Sequence, residues 1–267
     1  MKRYNIILSG LLLLALVIST AGCGWIQKLQ ARDQLNKGVN AFRNANYPQS
    51  IERFKRAIQF DPGLINARLY LASAYMSQFV PGAESEENKR NAEAAAKGFQ
   101  DVLERDSNNQ AAIQFLGFLA YSQKNFDEAK KWYTRLIQLN PQNKEAYYTI
   151  GVMNYWTAFQ SDAEARAKTH MQPDDSGPIK DKKVREQLKE KNEAVIREGL
   201  DQLEKALQID QNYEDAMLYV SLLYRQQADI VDTAEESKKL EIQANDLMQK
   251  TLEMKKKKTE GATPKTG

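Results

Sequence analysis

One cysteine and one histidine are all that 267 residues offer of the side chains most used as nucleophiles and soft metal ligands. With Cys23 and His170 alone no internal disulfide can form, neither a Ser-His-Asp nor a Cys-His arrangement is available in its usual form, and no His/Cys metal cluster can be drawn. His170 stands beside a break at Gln172-Pro173, where a solvated side chain is expected. The stretch Asp174-Asp175-Ser176-Gly177 has carboxylates and a glycine but lacks the alternating ligands and closing Glu of a calcium loop, so it reads as a turn. No strand pattern is evident, and therefore no glycine-rich phosphate loop follows one. Acidic residues number 35, and nothing marks out one pair for catalysis. The expectation is a protein that is not an enzyme, with no cofactor and no metal.

Strong charge is missing too. The chain carries 38 basic and 35 acidic side chains, but two of the basic ones are Lys2 and Arg3 and five are lysines from Lys255 onward. Between Cys23 and Met254 the balance is 31 basic to 34 acidic. A near-neutral body is a poor partner for nucleic acid, which needs clustered Lys and Arg on phosphates.

Only one long apolar run exists, Ile6 to Ile18, and it follows the basic Met1-Lys2-Arg3. It has the length of a signal-peptide core and falls short of the roughly 20 residues that a membrane-spanning helix needs. Small residues precede the lone cysteine in Ser19-Thr20-Ala21-Gly22-Cys23. This stretch resembles the lipobox of bacterial lipoproteins, with Thr20 where that family usually has Leu. The resemblance implies a signal peptide over residues 1–22, acylation of Cys23, and a lipidated tether over residues 23–30. Several acyl chains on one cysteine anchor stably where a single chain does not. Gly24, rather than Asp, after the cysteine implies by the same resemblance the outer membrane, facing the periplasm.

From Ala31 onward small and large residues recur in a register of 34. With units starting at Ala31, Ile65, Gln110, Lys144 and Glu214, the eighth position is Gly38, Ala72, Gly117, Gly151 and Ser221. The twentieth is Ser50, Ala95, Ala129, Gly199 and Ala244. Ala, Gly and Ser make up about a fifth of the chain, so ten small residues at ten places is a constraint and not composition. The twenty-fourth position is large: Phe54, Phe99, Tyr133, Leu203 and Met248. Small residues let helix backbones approach, and a large one fills the space beside them. Pro62 and Pro141 at the thirty-second position end the second helix of their units, since proline lacks the N–H and clashes with a continuing turn.

This pattern resembles the tetratricopeptide repeat over residues 31–254. The resemblance implies an all-α, right-handed superhelical solenoid of about five helix pairs, each burying its faces by stacking on the next. Departures from the 34-residue spacing fall between the two helices of a unit, as insertions at 79–90, 159–191 and 229–239. The second of these reads as an extended first helix, a break at Met171 to Pro178 and a charged helical run from Lys180, hence a projecting helical hairpin in the fourth repeat. Residues 255–267 are lysine-rich and read as a disordered tail.

In tetratricopeptide arrays the first helix of each pair lines a concave groove. Carried onto this chain, that face includes Phe42, Arg43, Phe118, Tyr121, Tyr148, Tyr155, Trp156 and Arg225. Aromatic rings with polar handles suit a surface that meets a peptide or helix. The expected function is a membrane-anchored, non-catalytic scaffold or adaptor for segments of envelope proteins. Two other readings stay open: a lipid-anchored enzyme or regulator with a site under 159–191, and a glycan- or polymer-binding lipoprotein. The first predicts a closed pocket with perturbed carboxylates near Asp162, Asp174 or Asp175; the adaptor predicts an open aromatic groove.

Overall fold

A computed structural model describes residues 24–172 and 175–262. Among these every regular element is an α-helix: α1 (24–43), α2 (Tyr47–Phe60), α3 (Ile65–Met76), α4 (Glu86–Leu103), α5 (Gln110–Ser122), α6 (Phe126–Leu139), α7 (Lys144–Lys168), α8 (Lys182–Ile209), α9 (Glu214–Ile230) and α10 (Ala234–Ala262). The chain divides into two compact units after Asn125. In the first, α2 packs on α3, α3 on α4 and α4 on α5; in the second, consecutive helices from α6 to α10 pack in turn, and α7 also packs on α9.

Helix starts and stops follow from short polar side chains. Asn46, Asn109, Asn143 and Asp181 each accept a hydrogen bond from the backbone N–H three residues on, which satisfies an otherwise orphaned donor at the start of α2, α5, α7 and α8. At the far end, Asp61, Asn140 and Asp210 accept from the N–H of Gly63, Gln142 and Asn212 and so close the same tight turn between units.

Steric packing explains the 34-residue register. All ten small residues at the eighth and twentieth positions are buried, and at the twenty-fourth Phe54, Phe99, Tyr133 and Leu203 are buried as well, with Met248 half-buried. A Cβ on Gly38 would lie 2.5 Å from a Phe54 ring carbon, and one on Gly151 would overlap the Leu203 side chain. The missing side chain at position eight is therefore the space that position twenty-four fills. Gly199 does the same between pairs: a Cβ there would come within 2.8 Å of Leu223 and 3.0 Å of Asn154.

Four expectations change. Residues 24–30 form the first turns of α1, so the stretch expected as a tether over 23–30 is helical from residue 24. Residues 255–262 continue α10, because lysine is a good helix former and the acidic start of α9 lies beside it: Lys258 pairs with Glu214 at 2.6 Å and Lys255 with Asp215 at 3.6 Å. The insertion at 229–239 is no loop; α9 runs to Ile230 and α10 resumes at Ala234. The helical insertion of the fourth repeat is present, but it does not project. Its apolar side, including Ala165, Met171, Ile179 and Leu188, is buried in one cluster with Val220, Leu223 and Ile230 of α9. The Ile179 N–H donates to the Asp229 carbonyl at 3.0 Å and the Gly177 N–H to Glu241 at 2.7 Å, which ties the break to α9 and α10. Of the 79–90 insertion, 79–85 belongs to the connection and 86–90 is the first turn of α4. Buried Asn88 holds that connection by accepting from the Val80 N–H and donating to the Val80 and Ala83 carbonyls.

Candidate functional site

In the second unit α7 and α9 lie side by side and carry a continuous set of rings. Tyr148 sits 5.1 Å from Tyr213 and 5.8 Å from Tyr219; Tyr219 is 5.4 Å from Tyr155; Tyr155 in turn contacts Trp156 at 5.1 Å and Phe159 at 5.6 Å. Most of these are edge-on or tilted pairs, the arrangement that ring quadrupoles favour. Trp156 and Phe159, 5.4 Å apart, end the run and remain 43% and 41% exposed. Burial raises the phenol pKa of Tyr155 and Tyr219 and pushes that of Tyr213 up to about 12, so the hydroxyls stay protonated donors at neutral pH.

Beyond Phe159 the face opens into a cleft of about 540 Å³. Tyr155, Phe159 and Leu222 line its apolar side, and Arg225, Gln226 and Asp162 its polar side. Arg225 is exposed and donates to the side-chain Oδ1 of Asn245 on α10 at 2.7 Å. Arg166 joins three pieces of chain, α7, the break after it and α9. Its Nε and Nη2 donate to the two Asp229 oxygens, each at 2.6 Å, and its Nη1 donates to the Gln172 and Asp175 carbonyls at 2.9 and 3.3 Å. Asp162, one turn before Arg166, is buried against the same pair. Burial, the Asp229 charge and a hydrogen bond with Asp229 push its pKa up to about 8, against the pull of Arg166. Burial thus favours the protonated form of Asp162, while the Arg166 guanidinium opposes the effect of burial on Asp229 and keeps that carboxylate paired.

The face expected from sequence is brought together only in part. Trp156 is exposed and Arg225 and Tyr155 both line the cleft, but Tyr155 is 9% exposed and belongs to the core, where Tyr219 and Trp156 cover it. It serves as floor rather than as surface. Tyr148 is half-buried for the same reason, between Tyr213 and Tyr219. In the first unit Phe42 is half-buried against Tyr47 and Tyr70, Arg43 is exposed, Phe118 is 39% exposed and Tyr121 half-buried. Phe159, Tyr219 and Arg166 were not foreseen. Phe159 lies four residues after Tyr155 and so shares its helical face, a signal hidden by assigning it to the insertion. Cys23 and Asp174 lie outside the described residues, and His170 is exposed at φ 55° in the left-handed turn that ends α7.

Comparison with known proteins agrees with the helix pairs. Residues 88–150 match the family model described as tetratricopeptide repeat. No curated protein matches the chain. Among solved structures it is similar to a crystal structure of MamA protein at 17% identity and a TM-score of 0.57, over 89% of this chain and 98% of that one. It is likewise similar to MamA from Desulfovibrio magneticus RS-1, at 13% identity and a TM-score of 0.56, over 85% and 96%. Together with the packed register of small and large residues, these likenesses show an all-helical fold of the tetratricopeptide type.

Proposed function

We propose that this protein is a lipid-anchored, non-catalytic adaptor that is exported to a bacterial membrane, the outer one facing the periplasm, and holds segments of other envelope proteins on the α7/α9 face. The observation that carries the reading is the ring series ending in Trp156 and Phe159, both more than 40% exposed, with Phe159 lining the cleft. Rings fixed from behind by Tyr155 lose little freedom on binding, which is why buried-edge aromatics make good anchors for a partner. The membrane attachment is supported by the basic start, the apolar run and the small residues before Cys23.

A photo-crosslinking residue at position 156, activated in membranes and followed by mass spectrometry, tests the adaptor. Discrete protein adducts that fade with Phe159→Ala support it; recovery of no protein partner refutes it. The alternative of an enzymatic or regulatory site is favoured by one feature, a buried carboxyl, Asp162, with a raised pKa beside a cleft. Against it, that carboxyl is enclosed with Asp229 and Arg166 and is occupied in joining α7 to α9.

A further inference from the structure

The first two turns of α1 carry large apolar side chains that remain exposed among the described residues. Trp25 is 66% exposed, Ile26 52% and Leu29 44%, and every residue from 24 to 30 is exposed. At about 100° per residue these three fall within an arc of about 100° on one side of the helix. The first buried residue of α1, Ala31, points to nearly the opposite side. The arc therefore faces away from the body and is not the beginning of the core. Lys28 and Arg32 flank it on the Trp25 side. It ends at Asp33, which pairs with Lys37 at 2.7 Å.

We propose that this arc is a membrane-docking surface, with Trp25, Ile26 and Leu29 seated at the headgroup level of a bilayer and Lys28 and Arg32 on its phosphates. Two features name a lipid surface as the occupant. The chain immediately before α1 holds the apolar run Ile6–Ile18 and Cys23, and at a helical rise of about 1.5 Å per residue Trp25 follows Gly24, the residue next to the cysteine, by about 1.5 Å and Leu29 follows it by about 7.5 Å. That spacing places the three side chains within the headgroup and upper acyl layer of any membrane that Cys23 enters. The composition also matches: an indole for the interface, two aliphatic side chains for the acyl boundary and two cations able to extend toward anionic headgroups. The consequence is a fixed mounting. With α1 helical from residue 24, docking the arc sets the angle at which the first unit leaves the membrane.

This inference rests on the lipid attachment proposed above, and its test separates the two. The chain from residue 23 onward, with Cys23→Ser so that no acyl group contributes and with Trp132→Phe and Trp156→Phe so that Trp25 alone emits, is mixed with vesicles of phosphatidylethanolamine and phosphatidylglycerol at 7:3. The expected result is a blue shift of Trp25 emission and quenching by lipids brominated near the headgroup end of the chain. Trp25→Gln/Ile26→Gln/Leu29→Gln, read by sedimentation with the vesicles, lowers partitioning at least ten-fold with the helical circular dichroism unchanged. Lys28→Gln and Arg32→Gln each lower it about five-fold on anionic vesicles and hardly at all on neutral ones. Unchanged Trp25 emission with lipid overturns the inference, as does a blue shift that follows protein concentration without lipid, which would make the arc a contact between copies. Acylation is read separately, by labelling full-length protein with an alkyne fatty acid; absence of label removes the anchor and leaves the vesicle result standing.

Discussion

Replacing Asp162 with asparagine should make the second unit more stable at high pH while changing little at low pH. In the folded chain burial, then the Asp229 charge, then the hydrogen bond with Asp229 push the Asp162 pKa up to about 8; in the unfolded chain it returns to about 3.9. Between those values the folded protein keeps a proton that the unfolded chain releases, so the folded state binds more protons. Stability contributed by that proton is fully present below about pH 4, declines as pH rises, and is gone above about 8. The slope is at most about 1.4 kcal/mol per pH unit, which makes the loss between pH 5.5 and 8 about 3 kcal/mol. The substituted side chain does not titrate, and its amide can donate to Asp229 as the protonated carboxyl does. Urea denaturation followed by circular dichroism at pH 5.5, 7 and 9 is the assay. The Asp162→Asn variant should lie within about 1 kcal/mol of wild type at pH 5.5 and exceed it by about 2–3 kcal/mol at pH 9. Parallel pH profiles for the two proteins would show that Asp162 does not hold the proton, and the account of the Arg166 cluster would fail with it.

Arg166→Ala leaves the Asp229 carboxylate buried without its partner and should cost about 3–5 kcal/mol in the same assay; Arg166→Lys should recover little of that, since one ammonium cannot match the paired 2.6 Å bonds. Gly151→Ala drives a methyl group into Leu203 and toward the Gly199 carbonyl and should cost about 1–3 kcal/mol, read as a lowered urea midpoint at constant slope. Ending the chain at Met254 removes the last eight described residues of α10 and its pairs to Glu214 and Asp215; helical ellipticity should fall slightly and stability by less than about 1 kcal/mol, because the lysine partners are largely solvated.

The register of the helix pairs was legible because it is a steric matter between the two helices of one pair. Gly38 lies sixteen residues before Phe54, and Gly151 meets Leu203 across the fourth pair; in both the small position exists to admit the large one. Such a constraint survives in sequence as residue size at a fixed offset, and so do the turns, whose Asn and Asp caps act on backbone three residues away. The ring series was legible in the same way as far as it follows one helix. Tyr148, Tyr155 and Trp156 fall on the face of one helix that the tetratricopeptide resemblance assigns to the groove, whereas Tyr219, on the neighbouring helix, separates Tyr148 from Tyr155 and could be placed only by the packing of α7 on α9.

What local period cannot carry is the relation between insertions. Residues 159–191 and 229–239 read as two separate excursions, yet the longer α7 and α8 need the longer α9 and α10. A hairpin that projected alone would leave Met171, Ile179 and Leu188 in water, where each buried apolar side chain forgoes about 1.5–3 kcal/mol. Extending α9 to Ile230 supplies the surface that covers them, and the ends are fastened by Arg166 to Asp229 and by the Ile179 N–H to the Asp229 carbonyl. Asp229 is therefore the residue that turns two insertions into one layer, although 63 residues of chain separate it from Arg166. The cleft follows from that same fastening: the extended α7 supplies Tyr155, Phe159 and Asp162, the extended α9 supplies Leu222, Arg225 and Gln226, and neither half would face anything if only one pair had lengthened.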